Sequence, residues 1–249
     1  PPSHPELLDW LADYFRGEAR WSVKQLVRTL VTSRAYQMSS RLAEASIEER
    51  DPDNVLLHRM PVRRLEGESI RDAILVLSGR FDARMSGLSV PTYLTDFMEG
   101  RGKPARSGPL DGDGRRSIYL EVRSNFLAPM MRAFDTPVPH STVGRRTVSN
   151  VPAQSLILMN DPFVVEQARL WAARLLLDTA CPPEKRIRDA YLATFSRKPT
   201  DVETRRALTF LEKQAIANGL APVAAAHDKR LWADWCHVLL NTKEFVFLE

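Results

Sequence analysis

Two stretches of apolar residues at helical spacing constrain the fold of this 249-residue chain more than any other feature. In residues 23–31, valine or leucine stands at positions 23, 26, 27, 30 and 31. Residues 63–78 repeat the pattern with leucine, isoleucine and alanine. Such spacing puts the apolar side chains on one face of an α-helix. The sequence therefore predicts a mainly α fold.

The same pattern predicts which side chains form the core. Leu26, Leu30, Ile74 and Leu77 lie on the apolar faces of these helices, so we expect all four to be buried. The chain begins without an initiator Met or a signal sequence, and we expect its start to lie inside a domain. An exposed apolar patch near residues 1–10 would then mark where a preceding segment docks.

Capping residues set the ends of further helices. Ser3 followed by Pro and Glu predicts a helix over residues 5–15. Asp161 before Pro162 predicts a long helix that ends near residue 177, and Thr200 with Glu203 forms a capping-box pattern. A last helix is predicted over about residues 228–241.

A long stretch without periodicity separates the two halves of the chain. Gly79 is suited to end the preceding helix, and glycine and proline recur from there to about residue 114. Loops of this length inside compact domains are usually functional or disordered. Residues 116–122 alternate well enough to predict a short strand. We expect a helical segment over residues 1–80, a loop with the strand over residues 81–125, and a second helical segment over residues 126–249, together one composite domain.

Composition excludes several classes of protein. No apolar run approaches the roughly 18 residues that a membrane-spanning helix needs. The net charge of +4 is too small for a dedicated nucleic-acid-binding protein, although Arg outnumbers Lys by 28 to 7. Cys181 and Cys236 are too few for a disulfide framework and lack the spacing of metal ligands.

Short motifs exclude several kinds of site. The chain has no Cys-x-x-Cys-His sequence, so we expect no covalently attached haem in it. The aspartates at 111 and 113 resemble a calcium loop, but Val122 stands where that loop needs Glu. The five histidines are scattered without zinc spacing, so no metal site is predicted. Hydrolase, nucleotide-binding and dinucleotide-binding motifs are also missing.

Arginine and other polar residues are dense in one segment after the loop. Guanidinium groups that face one space can bind a carboxylate, sulfate or phosphate through paired hydrogen bonds. Asp135 and His140 could then act as an acid–base pair near neutral pH. The candidate ligand-binding residues are Arg115, Arg116, Tyr119, Arg123, Arg145 and Arg146.

A structural role for these arginines is the favoured interpretation. Each of them could pair with an acid such as Glu121, Asp135 or Glu166 and so hold an irregular region together. Ion-pair networks of this kind have the same appearance in sequence as a binding site. Both interpretations stay open at the level of sequence.

Several longer segments resemble a known family. They are HPELLDWLA at 4–12, RRSIYL at 115–120, GRR at 144–146, PAQSL at 152–156, LMNDPF at 158–163, RKPT at 197–200 and residues 232–245. Together they resemble the planctomycete-specific domain of unknown function number fifteen fifty-three, which follows cytochrome-c-like domains. The resemblance implies a large exported parent protein, periplasmic or extracellular, with a haem c region upstream.

The family has no established activity, so the resemblance assigns no residue a role. We predict a binding or scaffolding module whose partners are upstream domains of the same polypeptide, or an anionic glycan or other carboxylate or sulfate ligand. The alternative is a hydrolase that acts on a sulfated polysaccharide through the arginine-rich segment. Whether the chain is an enzyme stays open.

Overall fold

The computed structural model describes residues 2–40, 45–123, 125–139 and 142–248. Helices dominate its regular structure, so the predicted mainly α fold class is confirmed. The α-helices are α1 (Pro5–Arg16), α2 (Val23–Val31), α3 (Ala45–Arg50), α4 (Gly67–Ser78), α5 (Pro129–Ala133), α6 (Pro152–Asn160), α7 (Pro162–Leu175), α8 (Pro183–Phe195), α9 (Asp201–Ala217), α10 (Lys229–Leu240) and α11 (Lys243–Val246). Short 3-10 helices cover Gly112–Gly114, Ser117–Tyr119 and Pro222–Ala226, and strands β1 (Arg63–Arg64) and β2 (Phe247–Leu248) pair with each other.

The chain divides into two compact units. The first contains residues 1–63 and 247–249, and the second contains residues 64–246. Helix α4 therefore groups with the residues that follow it. The division into three segments that the sequence predicted remains a prediction.

In the first unit, α1 and α2 contact each other through a few side chains. The Thr29 hydroxyl donates to the Tyr14 hydroxyl oxygen over 2.9 Å, and the rings of Phe15 and Trp21 meet edge to face. Ser22 caps α2 by accepting a hydrogen bond from the backbone N–H of Gln25. Neither helix contains a buried residue.

The core prediction is correct in the second unit and only partly correct in the first. Ile74 and Leu77 are buried, whereas Leu26 is half-buried and Leu30 is 42% exposed. The expectation for Leu30 is wrong because, among the described residues of the first unit, no element covers this face of α2. Leu7, on α1, is exposed too, as expected for an apolar patch near the start of the chain.

Helix α7 is the centre of the second unit. It packs against α4 and against α10. Its buried residues Val164, Ala168, Trp171 and Ala172 follow helical spacing, and Trp232 of α10 is also fully buried. Apolar side chains on more than one side of a helix are expected when partners cover it on several sides.

The predicted caps of the second unit are present. The Asp161 side chain accepts a hydrogen bond from the backbone N–H of Phe163 at the start of α7. Thr200 and Glu203 form both hydrogen bonds of a capping box at the start of α9. Gly79 ends α4 in the left-handed conformation, with φ of 79°. These local signals therefore fixed the helix ends correctly.

The predicted strand over residues 116–122 does not form as a regular strand. Isolated bridges join Asp82 to Arg115 and Val90 to Leu120, but the residues between them make the 3-10 turn Ser117–Tyr119. The turn forms because Ser117 bonds to the side of α4 instead of to a neighbouring strand. The extended character that the sequence predicted is kept only at the two ends of the segment.

The end of the long loop is tightly packed. Gly114 has φ of 72°, and its carbonyl accepts a hydrogen bond from the Asp82 N–H over 2.8 Å. A Cβ atom on Gly114 would overlap the backbone oxygen of Arg80, and one on Gly108 would overlap the backbone oxygen of Pro91. The backbone segments approach this closely only because both residues are glycine.

We expect Gly114→Ala to destabilise the protein by about 2 to 5 kcal/mol, because it combines a left-handed backbone with a backbone clash. The free energy of unfolding from urea titration measures this effect. Gly144→Ala is the matched control, since no atom lies within 4 Å of the added methyl group. It should change stability by less than about 1 kcal/mol. Equal stability of the two variants would contradict the packing described for Gly114.

Candidate functional site

The polar side of α4 organises most of the arginine-rich segment. Glu68, Arg71 and Asp72 stand at positions i, i+3 and i+4, so they lie close together on the helix surface. Each of them contacts residues that come later in the chain. We call Glu68, Arg71, Asp72 and their partners the α4 network.

Arg71 is the most buried member of the α4 network. One terminal nitrogen donates to the Arg115 carbonyl over 2.9 Å and to the Ser117 hydroxyl over 3.1 Å. The other donates to the Asp111 carbonyl over 2.6 Å. The guanidinium carbon lies 5.3 Å from the centre of the Phe163 ring. Burial lowers the pKa of Arg71 to about 10, against the opposite effect of the nearby carboxylates, so the group stays protonated at neutral pH.

Ser117 and Arg116 complete the attachment of this segment to α4. The Ser117 N–H and hydroxyl both donate to one oxygen of Asp72 over 2.7 Å. The Nε of Arg116 lies 3.6 Å from the other Asp72 oxygen. Asp72 therefore balances the charge of a half-exposed arginine while it holds the 3-10 turn.

The Arg115 side chain contacts Tyr119 and the long loop. Its guanidinium carbon lies 4.2 Å from the centre of the Tyr119 ring, and a terminal nitrogen donates to the Ser86 carbonyl over 2.6 Å. The Tyr119 hydroxyl in turn accepts a hydrogen bond from the Ser86 N–H. These two candidate residues together fix the start of the long loop.

Arg146 forms a bidentate pair of hydrogen bonds with Glu68. Its two terminal nitrogens lie 2.9 Å from the two carboxylate oxygens, and Glu66 lies 3.2 Å away. Burial raises the pKa of Glu68, but the hydrogen bonds from Arg146 and from the backbone lower it more, so the net pKa is below its ordinary value. The hydrogen bond to Glu68 also raises the pKa of Arg146.

Asp135 accepts hydrogen bonds from groups other than the residues of the α4 network. Its carboxylate accepts from Arg64 over 2.6 Å and from the Ser149 N–H over 2.8 Å. Gln154 donates to the Ser149 carbonyl and to the Ala133 carbonyl. Asp135 thus serves as a hydrogen-bond acceptor within the fold. The second half of the predicted acid–base pair, His140, lies outside the described residues.

The remaining candidates are at the surface. Arg123 is exposed, and one of its terminal nitrogens lies 2.7 Å from a carboxylate oxygen of Glu121. Arg145 is exposed, and its side chain makes no hydrogen bond or ion pair with the described residues. The structure therefore brings Arg116 and Arg146 to α4 through different carboxylates, and it places Arg115 with Tyr119. Asp135 shares none of these partners.

Sequence reasoning missed the residues of α4 that receive this segment. Glu68, Arg71 and Asp72 have the spacing of a polar stripe, which is usually a solvated face. The one signal in the sequence was that this polar stripe shares a helix with a strongly apolar face. Arg64, the partner of Asp135, was missed because the sequence placed it in the helix predicted over residues 63–78, whereas the structure places it in strand β1.

A small cavity of about 50 Å³ lies beside the α4 network. Its walls are mainly apolar and include Leu120, Met130 and Phe163, with Arg71 and Asp161 as charged members. Burial raises the pKa of Asp161, against the hydrogen bond from the Phe163 backbone. Pockets for small-molecule ligands usually measure roughly 300 Å³ or more. The cavity has room for a few water molecules.

Metal ligands and membrane-spanning segments both need recognisable arrangements of side chains. The described residues contain no group of three or more His, Cys, Asp or Glu side chains arranged to hold a metal ion. Among their helices, none combines the length and the apolar character that crossing a bilayer requires.

We expect Arg71→Met to destabilise the protein by about 3 to 5 kcal/mol, because it leaves buried carbonyl groups without donors. Thermal unfolding and urea titration both measure the loss. The matched control is Arg169→Met, which removes an exposed arginine of α7. It should cost less than about 0.5 kcal/mol. A loss at Arg71 no larger than at Arg169 would show that the α4 network contributes little to stability.

The lowered pKa of Glu68 makes its contribution to stability depend on pH. An unfolded glutamate has a pKa near 4.5, so the stabilisation is fully present above that value. It is lost as the pH falls through the lower pKa of the folded state. The difference in unfolding free energy between the wild type and Glu68→Gln should therefore be largest near neutral pH and shrink on acidification. A difference that stays constant from neutral to acid pH would contradict this.

Comparison with known proteins identifies a family. Residues 1–211 match the model of PSD1, a protein of unknown function (DUF1553). The match confirms the resemblance noted from the sequence for the segments up to residue 211. No curated protein and no solved structure matches the chain significantly. Because the matched residues cover most of its length, this chain belongs to the DUF1553 family PSD1.

Proposed function

We propose that this chain is a non-catalytic binding or scaffolding module. One observation supports this most: the charged groups of the arginine-rich segment are largely used inside the fold. Arg146 pairs with Glu68, Arg116 approaches Asp72, and Arg115 stacks on Tyr119. Charged side chains that hold irregular backbone in place serve a rigid module, whereas an anion site needs donors that are free.

The proposed partners are upstream domains of the same polypeptide. This follows from the resemblance, which implies a haem c region in the parent protein and a periplasmic or extracellular location. A module that connects such domains needs a rigid body and an exposed contact surface. The second unit is suited to be the body, because α7 is buried between α4 and α10 and the loop is held to α4.

No specific observation favours the hydrolase alternative. A general acid or base must exchange a proton with the substrate. Asp135 instead receives hydrogen bonds from Arg64 and from Ser149. An anionic glycan would also have to compete with Glu68 for Arg146, where two hydrogen bonds already occupy the guanidinium.

We expect Arg146→Ala to lower the free energy of unfolding by about 1 to 3 kcal/mol, because Glu68 loses a charged hydrogen-bond partner. Arg116→Ala should cost less than about 1 kcal/mol, since its ion pair is longer and half-exposed. Urea titration measures both. Binding of heparin and of polygalacturonate, as sulfated and carboxylated probes, is measured by calorimetry for the same variants and for their combination.

The control for these variants is Arg145→Ala, which removes an exposed arginine next to Arg146. If the module is non-catalytic, neither glycan should be hydrolysed. Arg146→Ala should lower stability and leave the affinity for both glycans unchanged. Binding that disappears in Arg146→Ala while stability stays unchanged would support the anion site and contradict the structural role proposed for Arg146. Hydrolysis of either glycan would contradict a non-catalytic module.

A further inference from the structure

Helix α2 has an apolar face that is open to solvent. Val23, Val27, Leu30 and Val31 are all exposed, and Val23 is 64% exposed. They stand at positions i, i+4, i+7 and i+8, which form one continuous stripe along the helix. The half-buried Leu26 lies at the edge of this stripe that is nearer to α1. Helix α2, which is nine residues long, is thus amphipathic, and its apolar stripe is exposed to solvent.

The charged residues of α2 and of the sequence on either side of it have a single sign. No acidic residue occurs between Glu18 and Glu44, whereas that interval contains five cations. Lys24 and Arg28 are one turn apart and border the valine side of the stripe. Neither takes part in an ion pair or a side-chain hydrogen bond in the described part of the chain, and both are exposed. Their charge is therefore available to a partner.

Trp21 stands at the start of α2 and is 66% exposed. Its φ is 61°, and the φ of Arg20 before it is 47°, so two consecutive residues other than glycine adopt the left-handed conformation. This conformation is costly for a bulky side chain. Tryptophan, with an apolar ring and one N–H group, is enriched where membranes meet water. The turn thus presents such a side chain at the end of the apolar stripe.

Helix α1 adds to the same hydrophobic character. Trp10 is 54% exposed, and Leu7 is exposed beside it. Glu6 stands four residues before Trp10 and Asp13 three residues after it, so both acids lie beside Trp10 on the helix surface. Negative charge therefore borders the apolar surface of α1 at Trp10, and the Leu7 side of that surface has no acid at i±3 or i±4.

We infer that helix α2, with Trp21 before it, is a surface for peripheral binding to membranes that contain anionic lipids. A basic amphipathic helix with an adjacent tryptophan lies in the interface of such membranes. Its apolar side chains reach the boundary between head groups and acyl chains, and its cations lie near the phosphates. The unpaired cations favour this partner over a protein domain with an apolar surface alone, which would leave them without counter-charges. The inference concerns the first unit and does not depend on the arginines of the second.

The test uses the whole 249-residue chain and two kinds of vesicle. One contains phosphatidylcholine mixed with phosphatidylglycerol, and the other contains phosphatidylcholine alone. We expect the protein to sediment with the anionic vesicles, to be released by high salt, and to show a blue shift of its tryptophan emission when bound. Lys24→Gln combined with Arg28→Gln should weaken binding about 30-fold, from the usual contribution of two cations near an anionic surface.

A matched control is Arg205→Gln combined with Lys213→Gln, which removes one exposed arginine and one exposed lysine from α9. It should bind as the wild type does. Val27→Ser combined with Leu30→Ser should also lose binding, with little change in melting temperature because both residues are exposed. No sedimentation with anionic vesicles would overturn the inference. So would equal binding to both vesicles, an equal loss in the α9 control, or a concentration-dependent dimer in place of vesicle binding.

Discussion

The guanidinium of Arg71 is the interaction on which the arrangement of the second unit depends. It stands on α4 and donates to carbonyl groups of two residues in the loop and to Ser117. Buried carbonyl groups that lie outside helices and sheets need donors from elsewhere. A planar group with five N–H donors can reach several such carbonyls at once, which a lysine cannot do. One side chain thus donates hydrogen bonds to backbone carbonyl groups that a neighbouring strand would pair with in a sheet.

The same solution recurs at the other end of the unit. Arg186 is fully buried, stacks on Trp232, and donates to the carbonyls of Leu175, Asp178 and Ala226. Arg174 donates to the last carbonyls of α4 in a similar way. A fold with long irregular connections and only two-residue strands among its described residues relies on such contacts. The excess of Arg over Lys in the chain agrees with this use.

The two units use their positive charge differently. In the second unit, most of the arginines that the sequence offers to a ligand are bound to carboxylates and carbonyls of the protein itself. In the first unit, Lys24 and Arg28 face solvent beside an apolar stripe. Charge that is already paired adds to rigidity, whereas unpaired charge next to apolar surface can attract a partner. The paired arginines of the second unit support the proposed module, and the exposed cations and apolar stripe of α2 support the inferred membrane surface.

The sequence by itself determined most of the predicted helices, although α4 begins at Gly67 instead of residue 63 and Ser3 does not cap α1. Tertiary structure decided what covers each helix and which charges meet. Periodicity and capping residues act within a few residues along the chain, so they located α1, α2, α4, α7 and α9. The apolar faces of α2 and α4 have the same periodicity, yet Leu30 is exposed and Ile74 is buried. Arg146 meets Glu68 across 78 residues of sequence, and no local signal announces that pairing. Periodicity reports that a face is apolar or charged, and only the packing of distant segments decides what lies against it.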